Sequence, residues 1–252
     1  MTTTAPTPTT TKKVALVTGA SRGIGAAIAK RLAQGGAAVA ITYTAGREKA
    51  EEVVAAIRAA GGTAIAIQAD SGNPAAVRSA VAQTVAAFGA LDILVNNAGV
   101  AVMGPIDTFA MADYERLVAV NITGVFVATQ ETVRHIKNGG RIVMIGSVNT
   151  DRIPFANSSI YALTKGAVAS FTRGLARDLG ARAITVNNVQ PGPVDTDMNP
   201  ATGPFADTLK GLMALGRYGR GEEIAAMVAY LVSPAAAYVT GANLTIDGGF
   251  DA

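Results

Sequence analysis

The chain has 252 residues, 50% of them hydrophobic, with 21 basic against 18 acidic side chains and a formal charge of +3. That length buries a substantial core as one large α/β domain or two small ones, and so mild a charge excess gives no reason to expect nucleic-acid or membrane partners. Cysteine is absent, which excludes disulfides, thiolate metal sites and cysteine nucleophiles, and His135 is the single histidine, so no metal site is expected.

Residues 1–11 are Thr-rich, hold Pro6 and Pro8, and lack the apolar stretch of a secretory signal. They read as a disordered tail on a cytoplasmic protein. No apolar run is long enough to cross a bilayer. Val14–Thr18 is a short apolar run closed by Gly19 and predicts a buried strand. A helix follows over Gly23–Gln34, then a strand over Ala38–Tyr43. Glu48–Ala60 sets Val53, Val54 and Ile57 on one helical face, and Ala64–Ala69 is the third strand. Val77, Val81, Val85 and Phe88 recur at helical spacing before a strand at Leu91–Val95. A long helix over Met111–Lys137 ends near His135, which suits a helix C-terminus. The strand Arg141–Ile145, a helix near Ser158–Gly180 and a strand at Ala183–Val189 continue the rhythm. A Pro/Gly-rich stretch, Pro191–Tyr218, interrupts it, and a helix near Glu222–Leu231 and a strand near Ala242–Ile246 close the chain. Alternating β and α units predict a doubly wound α/β Rossmann fold. The expectation is a seven-stranded, mostly parallel sheet with helices on both faces. It forms a single domain over residues 12–252, with a lid near residues 195–216.

Between the first strand and first helix stands Thr18-Gly19-Ala20-Ser21-Arg22-Gly23-Ile24-Gly25. Gly19 permits a tight turn, Gly23 lets backbone approach a pyrophosphate, and Gly25 lets helix pack on strand. The helix N-terminus offers N–H groups and a positive dipole end. This context makes the turn, with Ser21, Arg22 and Ile24, a dinucleotide site rather than a mere chain reversal. A preference for NAD(H) calls for an acid near the end of the second strand. Here Tyr43 and Thr44 stand there, and no carboxylate appears before Glu48. Arg22 and Arg47 are placed to face a 2′-phosphate, so NADP(H) is favoured, with NAD(H) the alternative. For Arg47, a solvated position in the first helical turn is an equally simple reading.

Tyr161 and Lys165, four apart in a predicted helix, share one face. An ammonium close to a phenol stabilises phenolate and lowers a pKa of about 10. Tyr161 then serves as proton donor or acceptor. Ser147, just after the fifth strand, can bond a substrate oxygen, or it can cap a turn. Asn121 is an unfavourable residue mid-helix, which points to a local kink able to hold a relay water, or to an exposed Asn.

These motifs resemble the short-chain dehydrogenase/reductase family over nearly the whole chain after the tail. They are Thr18-Gly19-x3-Gly23-x-Gly25, Asn96-Asn97-Ala98-Gly99, Asn121, Ser147, Tyr161-x3-Lys165 and Pro191-Gly192. The resemblance implies a catalytic tetrad of Asn121, Ser147, Tyr161 and Lys165, with Lys165 also on the nicotinamide ribose. It places Asp70 on adenine with Ser71 beside it. Asn97, Ala98 and Gly99 shape the cofactor site, and Pro191, Gly192, Val194 and Thr196 lie along the nicotinamide. It also implies a homotetramer or homodimer pairing the two long helices that begin near Met111 and Ser158. One departure stands out: Ser147 precedes Tyr161 by one residue more than the commonest family spacing. Ser158 and Ser159, at the start of the helix, read as N-caps.

The irregular stretch from Asp195 to Gly216 reads as a substrate lid. Met198, Phe205, Leu212 and Met213, with Phe155 and Asn149 from the other side, suggest a ketone, aldehyde or secondary alcohol bearing an apolar group. Arg152 and Arg217 are the cations left for an anionic substrate. The whole resembles ketoreductases similar to 3-oxoacyl-carrier-protein reductase. The runs from Ile145 to Arg152 and from Gln190 to Asp197 also resemble a branch that includes a cyclic-di-GMP-binding protein. That gives a regulatory alternative, a cyclic-dinucleotide receptor on the same fold.

Overall fold

A computed structural model describes residues 12–252, and the expected tail at 1–11 lies outside the described residues. Strands β1 (Val14–Val17) and β2 (Ala38–Tyr43) are buried at every position, as expected of apolar runs covered on both faces. They join β3 (Thr63–Gln68), β4 (Ile93–Asn96), β5 (Arg141–Ile145), β6 (Thr185–Pro191) and β7 (Asn243–Ile246) in the order β3-β2-β1-β4-β5-β6-β7. Every pairing is parallel, so the expected "mostly parallel" sheet is wholly parallel.

Helices α1 (Gly23–Gln34), α2 (Arg47–Ala59) and α8 (Gly221–Val232) cover one face. Ile28, Leu32, Val53, Ile57, Ile224 and Leu231 pack there against Val39 and Ile41. On the other face lie α3 (Pro74–Phe88), α5 (Val125–His135) and α6 (Ser159–Leu179), whose Val81, Val127 and Val168 meet Leu94 and Ile142. Each fully buried aliphatic side chain contributes about 1.5–3 kcal/mol. Local signals fix the ends. Asn73 caps α3 by accepting from the backbone N–H groups of Ala75 and Ala76, Pro74 opens the helix, and Gly89 ends it at φ 74°.

The expected long helix at Met111–Lys137 is three pieces. α4 (Met111–Val118) runs into a π-helical stretch, Ala119–Gly124, and then into α5. The irregular stretch after β6 contains the short helix α7 (Ala206–Leu212), which the sequence pattern did not single out. Because β1 neighbours both β2 and β4, the winding reverses at β1. The carboxyl ends of β1 and β4 therefore open onto the crevice where such sheets bind ligands.

Candidate active site

The glycine turn sits at that crevice. Gly19 and Gly23 have φ of 62° and 56°, a region that favours glycine. A Cβ on Gly19 would lie 2.8 Å from Ala98 Cα, and one on Gly25 would lie 2.4 Å from Asn97 Nδ2. Asn97 Nδ2 donates to the carbonyls of Thr18 (2.8 Å) and Gly19 (3.0 Å). Thr18 Oγ1 accepts from the N–H groups of Asn97 and Ala98, both at 3.0 Å. Asn97 and Ala98 thus brace the turn from β4. Thr18, which sequence reasoning gave no role, is the clasp between them. Its sequence signals are a hydroxyl closing an apolar strand and its place at the head of the glycine motif. The N-cap of α1, Arg22, makes no side-chain capping bond, and the first turn carries no acid. Its leading N–H groups and dipole can therefore take an anion.

Of the other expected cofactor residues, Asp70 accepts from Gly72 N at 3.0 Å, fixing the bend after β3. Ser71 is buried against the π-helical stretch, where a Cβ on Gly124 would lie 2.2 Å from its carbonyl oxygen. The Tyr43 side chain is 7% exposed and belongs to the core under α2, which argues against its ring meeting a ligand. The Thr44 carbonyl accepts from Gln68 Nε2, and Arg47 opens α2. Pro191 ends β6, Gly192 packs on Asp247, and Val194 is buried beside Gly219. Thr196 lies over the glycine turn, its Cγ2 3.3 Å from where Gly23 would carry a Cβ. Two charged side chains to which sequence reasoning assigned no site role, Lys49 and Asp197, meet here: Lys49 and the expected Arg22 both bond Asp197 Oδ2 at 3.1 Å.

Tyr161 and Lys165 lie one turn apart on α6. Lys165 is buried, and its Nζ donates to the Ile145 carbonyl at 2.9 Å, 5.8 Å from the Tyr161 ring centre. Burial drives its pKa down to about 8. Burial also raises the Tyr161 phenol above its ordinary value, and the facing Ser147 hydroxyl only partly reverses this. The expectation that the ammonium lowers the phenol is not met; desolvation sets the direction. Ser147 Oγ accepts from Asn149 N at 3.2 Å and caps the 3-10 turn Val148–Thr150. The turn-cap reading is realised, and the same hydroxyl faces Tyr161. The link to Tyr161 runs through the loop after that turn, where Asn157 takes φ 70°. Ser158 stands at the N-cap position of α6, as expected, though without a side-chain capping bond, and Ser159 opens the helix.

Asn121 is 2% exposed inside the π-helical stretch, so the exposed-Asn reading fails and the helix is locally distorted at this residue. Its Oδ1 accepts from Val100 N and its Nδ2 donates to Val100 O, both at 2.9 Å. Nδ2 also reaches Thr164 Oγ1 at 3.1 Å, a buried hydroxyl sequence reasoning missed. Gly99 lies between the groups: a Cβ there would be 3.5 Å from Asn121 Oδ1 and 3.6 Å from Lys165 Nζ.

Among the expected substrate residues, Phe155, Met198 and Phe205 are exposed. Met213 is 5% exposed, in a small cluster with Val148, Ala206, Tyr218 and Phe250. It docks the lid to the body and is corrected from the substrate set. Arg152 donates to the Phe250 carbonyl and stacks on its ring at 5.4 Å, while Arg217 pairs with Glu223 at 2.7 Å. Both cations are spent on structure. His135, in the last turn of α5, pairs with Glu131 at 3.3 Å.

A family model described as enoyl-(acyl carrier protein) reductase matches residues 19–251. A solved short-chain dehydrogenase/reductase from Serratia marcescens BCRC 10948 is 60% identical at a TM-score of 0.94, over 95% of this chain and 98% of that one. The chain belongs to the short-chain dehydrogenase/reductase family. Another short-chain dehydrogenase, from Burkholderia cenocepacia J2315 and solved in complex with NADP, is 54% identical at a TM-score of 0.94, again over 95% and 98% of the two chains. The cyclic-di-GMP-binding biofilm dispersal mediator protein of Escherichia coli (strain K12) is 47% identical over 96% of this chain and 98% of its own length. The short-chain dehydrogenase/reductase resemblance and the doubly wound fold both hold. As a member of that family this chain is an oxidoreductase of small molecules, and no helix of the described residues is long and apolar enough to cross a membrane.

Proposed function

We propose that this short-chain dehydrogenase/reductase uses NADP(H) to reduce a ketone or aldehyde bearing an apolar group, with Tyr161 as proton donor. The observation that carries the proposal is the convergence of Ser147, Tyr161, Lys165 and Asn121 from β5, α6 and the π-helical stretch beside the glycine turn. The residues fit a dinucleotide: two glycines at positive φ, a third where a Cβ would collide, and an acid-free helix N-terminus. NADP(H) is favoured over NAD(H) by Arg22 in the turn and by the absence of a carboxylate at the end of β2. The NADP complex of the Burkholderia relative supports this reading.

The bound cofactor supplies the hydride. A phenol raised by burial is fully protonated at neutral pH, which is the state a donor needs. As the carbonyl oxygen gains negative charge, Tyr161 Oη donates its proton to it, and Ser147 Oγ donates a hydrogen bond to the same oxygen. Lys165, anchored on Ile145, keeps its remaining protons near Gly99, from where it would hold a ribose hydroxyl of the bound cofactor and stabilise the phenolate left on Tyr161. Asn121 holds the Val100 backbone, and so Gly99, in position. In the reverse direction Tyr161 accepts the alcohol proton.

The second reading, a cyclic-dinucleotide receptor, rests on the name of the E. coli relative. One assay separates the two. NADPH consumption is followed at the absorbance band of the reduced cofactor with a panel of aryl and alkyl ketones, and cyclic-di-GMP binding is measured by calorimetry. Turnover that falls about 10²–10⁴-fold in Tyr161→Phe supports the reductase. Saturable cyclic-di-GMP binding with no turnover on any carbonyl favours the receptor.

A further inference from the structure

The turn that carries Asp197 is built to aim one carboxylate. Thr196 and Asn199 bond each other backbone to backbone, Thr196 N to Asn199 O at 3.4 Å and Asn199 N to Thr196 O at 3.0 Å. Asp197 and Met198 are left at the tip. Asp195 anchors the next bend by accepting from Ala201 N at 2.9 Å. From the tip, a single oxygen of Asp197 meets two cations, Arg22 Nη1 and Lys49 Nζ, each at 3.1 Å. The bond from Lys49, then that from Arg22, holds the carboxyl below its usual range, so it is an anion throughout neutral pH. The cations come from the glycine turn and from α2, and the anion from the first residues of the lid. Together with Ser21, Lys30 and Arg220 they line an open cleft of about 510 Å³.

We propose that Asp197 is a built-in competitor for the cofactor's 2′-phosphate, occupying with its carboxylate the seat that Arg22 and Lys49 offer. This rests on the NADP(H) reading above. A 2′-phosphate brings close to two negative charges and three acceptor oxygens, whereas Asp197 brings one charge and shares one oxygen. The phosphate displaces the carboxylate from at least one cation. A ribose 2′-hydroxyl has no charge with which to do so. Asp197 therefore lowers affinity for 2′-phosphorylated cofactor without touching the reacting atoms. It also ties the start of the lid to the glycine turn until that phosphate arrives. Lys49 becomes the second specificity residue, in place of Arg47, which forms no ion pair among the described residues.

The test uses the full chain and two dinucleotide fragments, 2′,5′-ADP and 5′-ADP, titrated by calorimetry. Asp197→Asn is expected to bind 2′,5′-ADP about two- to tenfold more tightly, the span of one or two exposed ion pairs. Its 5′-ADP affinity stays the same. Lys49→Ala weakens 2′,5′-ADP only. In hydrogen exchange, 2′,5′-ADP but not 5′-ADP speeds exchange in residues 196–201 of the unsubstituted protein. A weaker, an unchanged, or an equally shifted affinity for both fragments in Asp197→Asn overturns the competitor. Failure of the unsubstituted protein to distinguish the fragments overturns the NADP(H) reading itself, which separates the two failures.

Discussion

At Tyr161 and Lys165, burial acts in opposite senses. It raises the phenol and lowers the ammonium, because each is held back from its charged form. On the proposed mechanism, reduction needs both groups protonated. Since Lys165 sits at about 8 and the phenol is raised above its ordinary value, Lys165 is the first to lose its proton as pH rises. The kcat/KM for carbonyl reduction should therefore be flat near neutrality and fall above pH 8, while alcohol oxidation climbs on the alkaline side. A pH–rate profile in both directions checks this. A reductive rate that rises between pH 7 and 9 would contradict it. The four catalytic candidates and the glycines were legible as residues, since their types and spacing carry the chemistry. Their electrostatics were not, because desolvation depends on what the fold stacks above α6. Lys49 and Asp197 stayed hidden for a related reason: they lie 148 positions apart and meet only through the lid.

At the scale of elements, strand runs and helix starts followed closely from apolar period and turn residues. β2, β5 and α1 have the predicted bounds. The π-helical form and extent of the stretch Ala119–Gly124 did not follow from the apolar pattern, although Asn121 mid-helix marked its place. Its cause is visible in the packing. Gly124 lets the widened turn approach Ser71, and Asn121 spends its amide on Val100 and Thr164. Asn121→Leu strands both backbone groups of Val100 and should cost about 1–3 kcal/mol per unsatisfied group. The denaturation midpoint and kcat should fall together. Asn121→Asp, which retains the acceptor for Val100 N, should lose less stability. If Asn121→Leu leaves both quantities unchanged, the clamp is not what positions Gly99.

At the scale of the molecule, the parallel sheet and both helical layers followed from strict β/α alternation, but strand order and assembly did not. Met111 and Tyr114 on α4, Phe126 on α5 and Leu163 on α6 are exposed, and Phe126 touches Phe171 of α6 at 6.3 Å between ring centres. Apolar side chains exposed along neighbouring helices are what an interface between copies would bury. We expect a homodimer or homotetramer through this face. Sedimentation velocity on Phe126→Arg with Leu163→Arg should give a smaller species than the unsubstituted chain. A monomer in both cases would refute the pairing.

The most direct test of the whole account follows one atom. NADPH deuterated at the transferable position is mixed with the protein and an aryl ketone, and the alcohol is analysed by mass spectrometry. The account predicts one deuterium in the product alcohol. With Tyr161→Phe it predicts almost no labelled alcohol, while 2′,5′-ADP still binds with unchanged affinity. Labelled alcohol formed equally fast by Tyr161→Phe would contradict the assignment of Tyr161 as the proton donor.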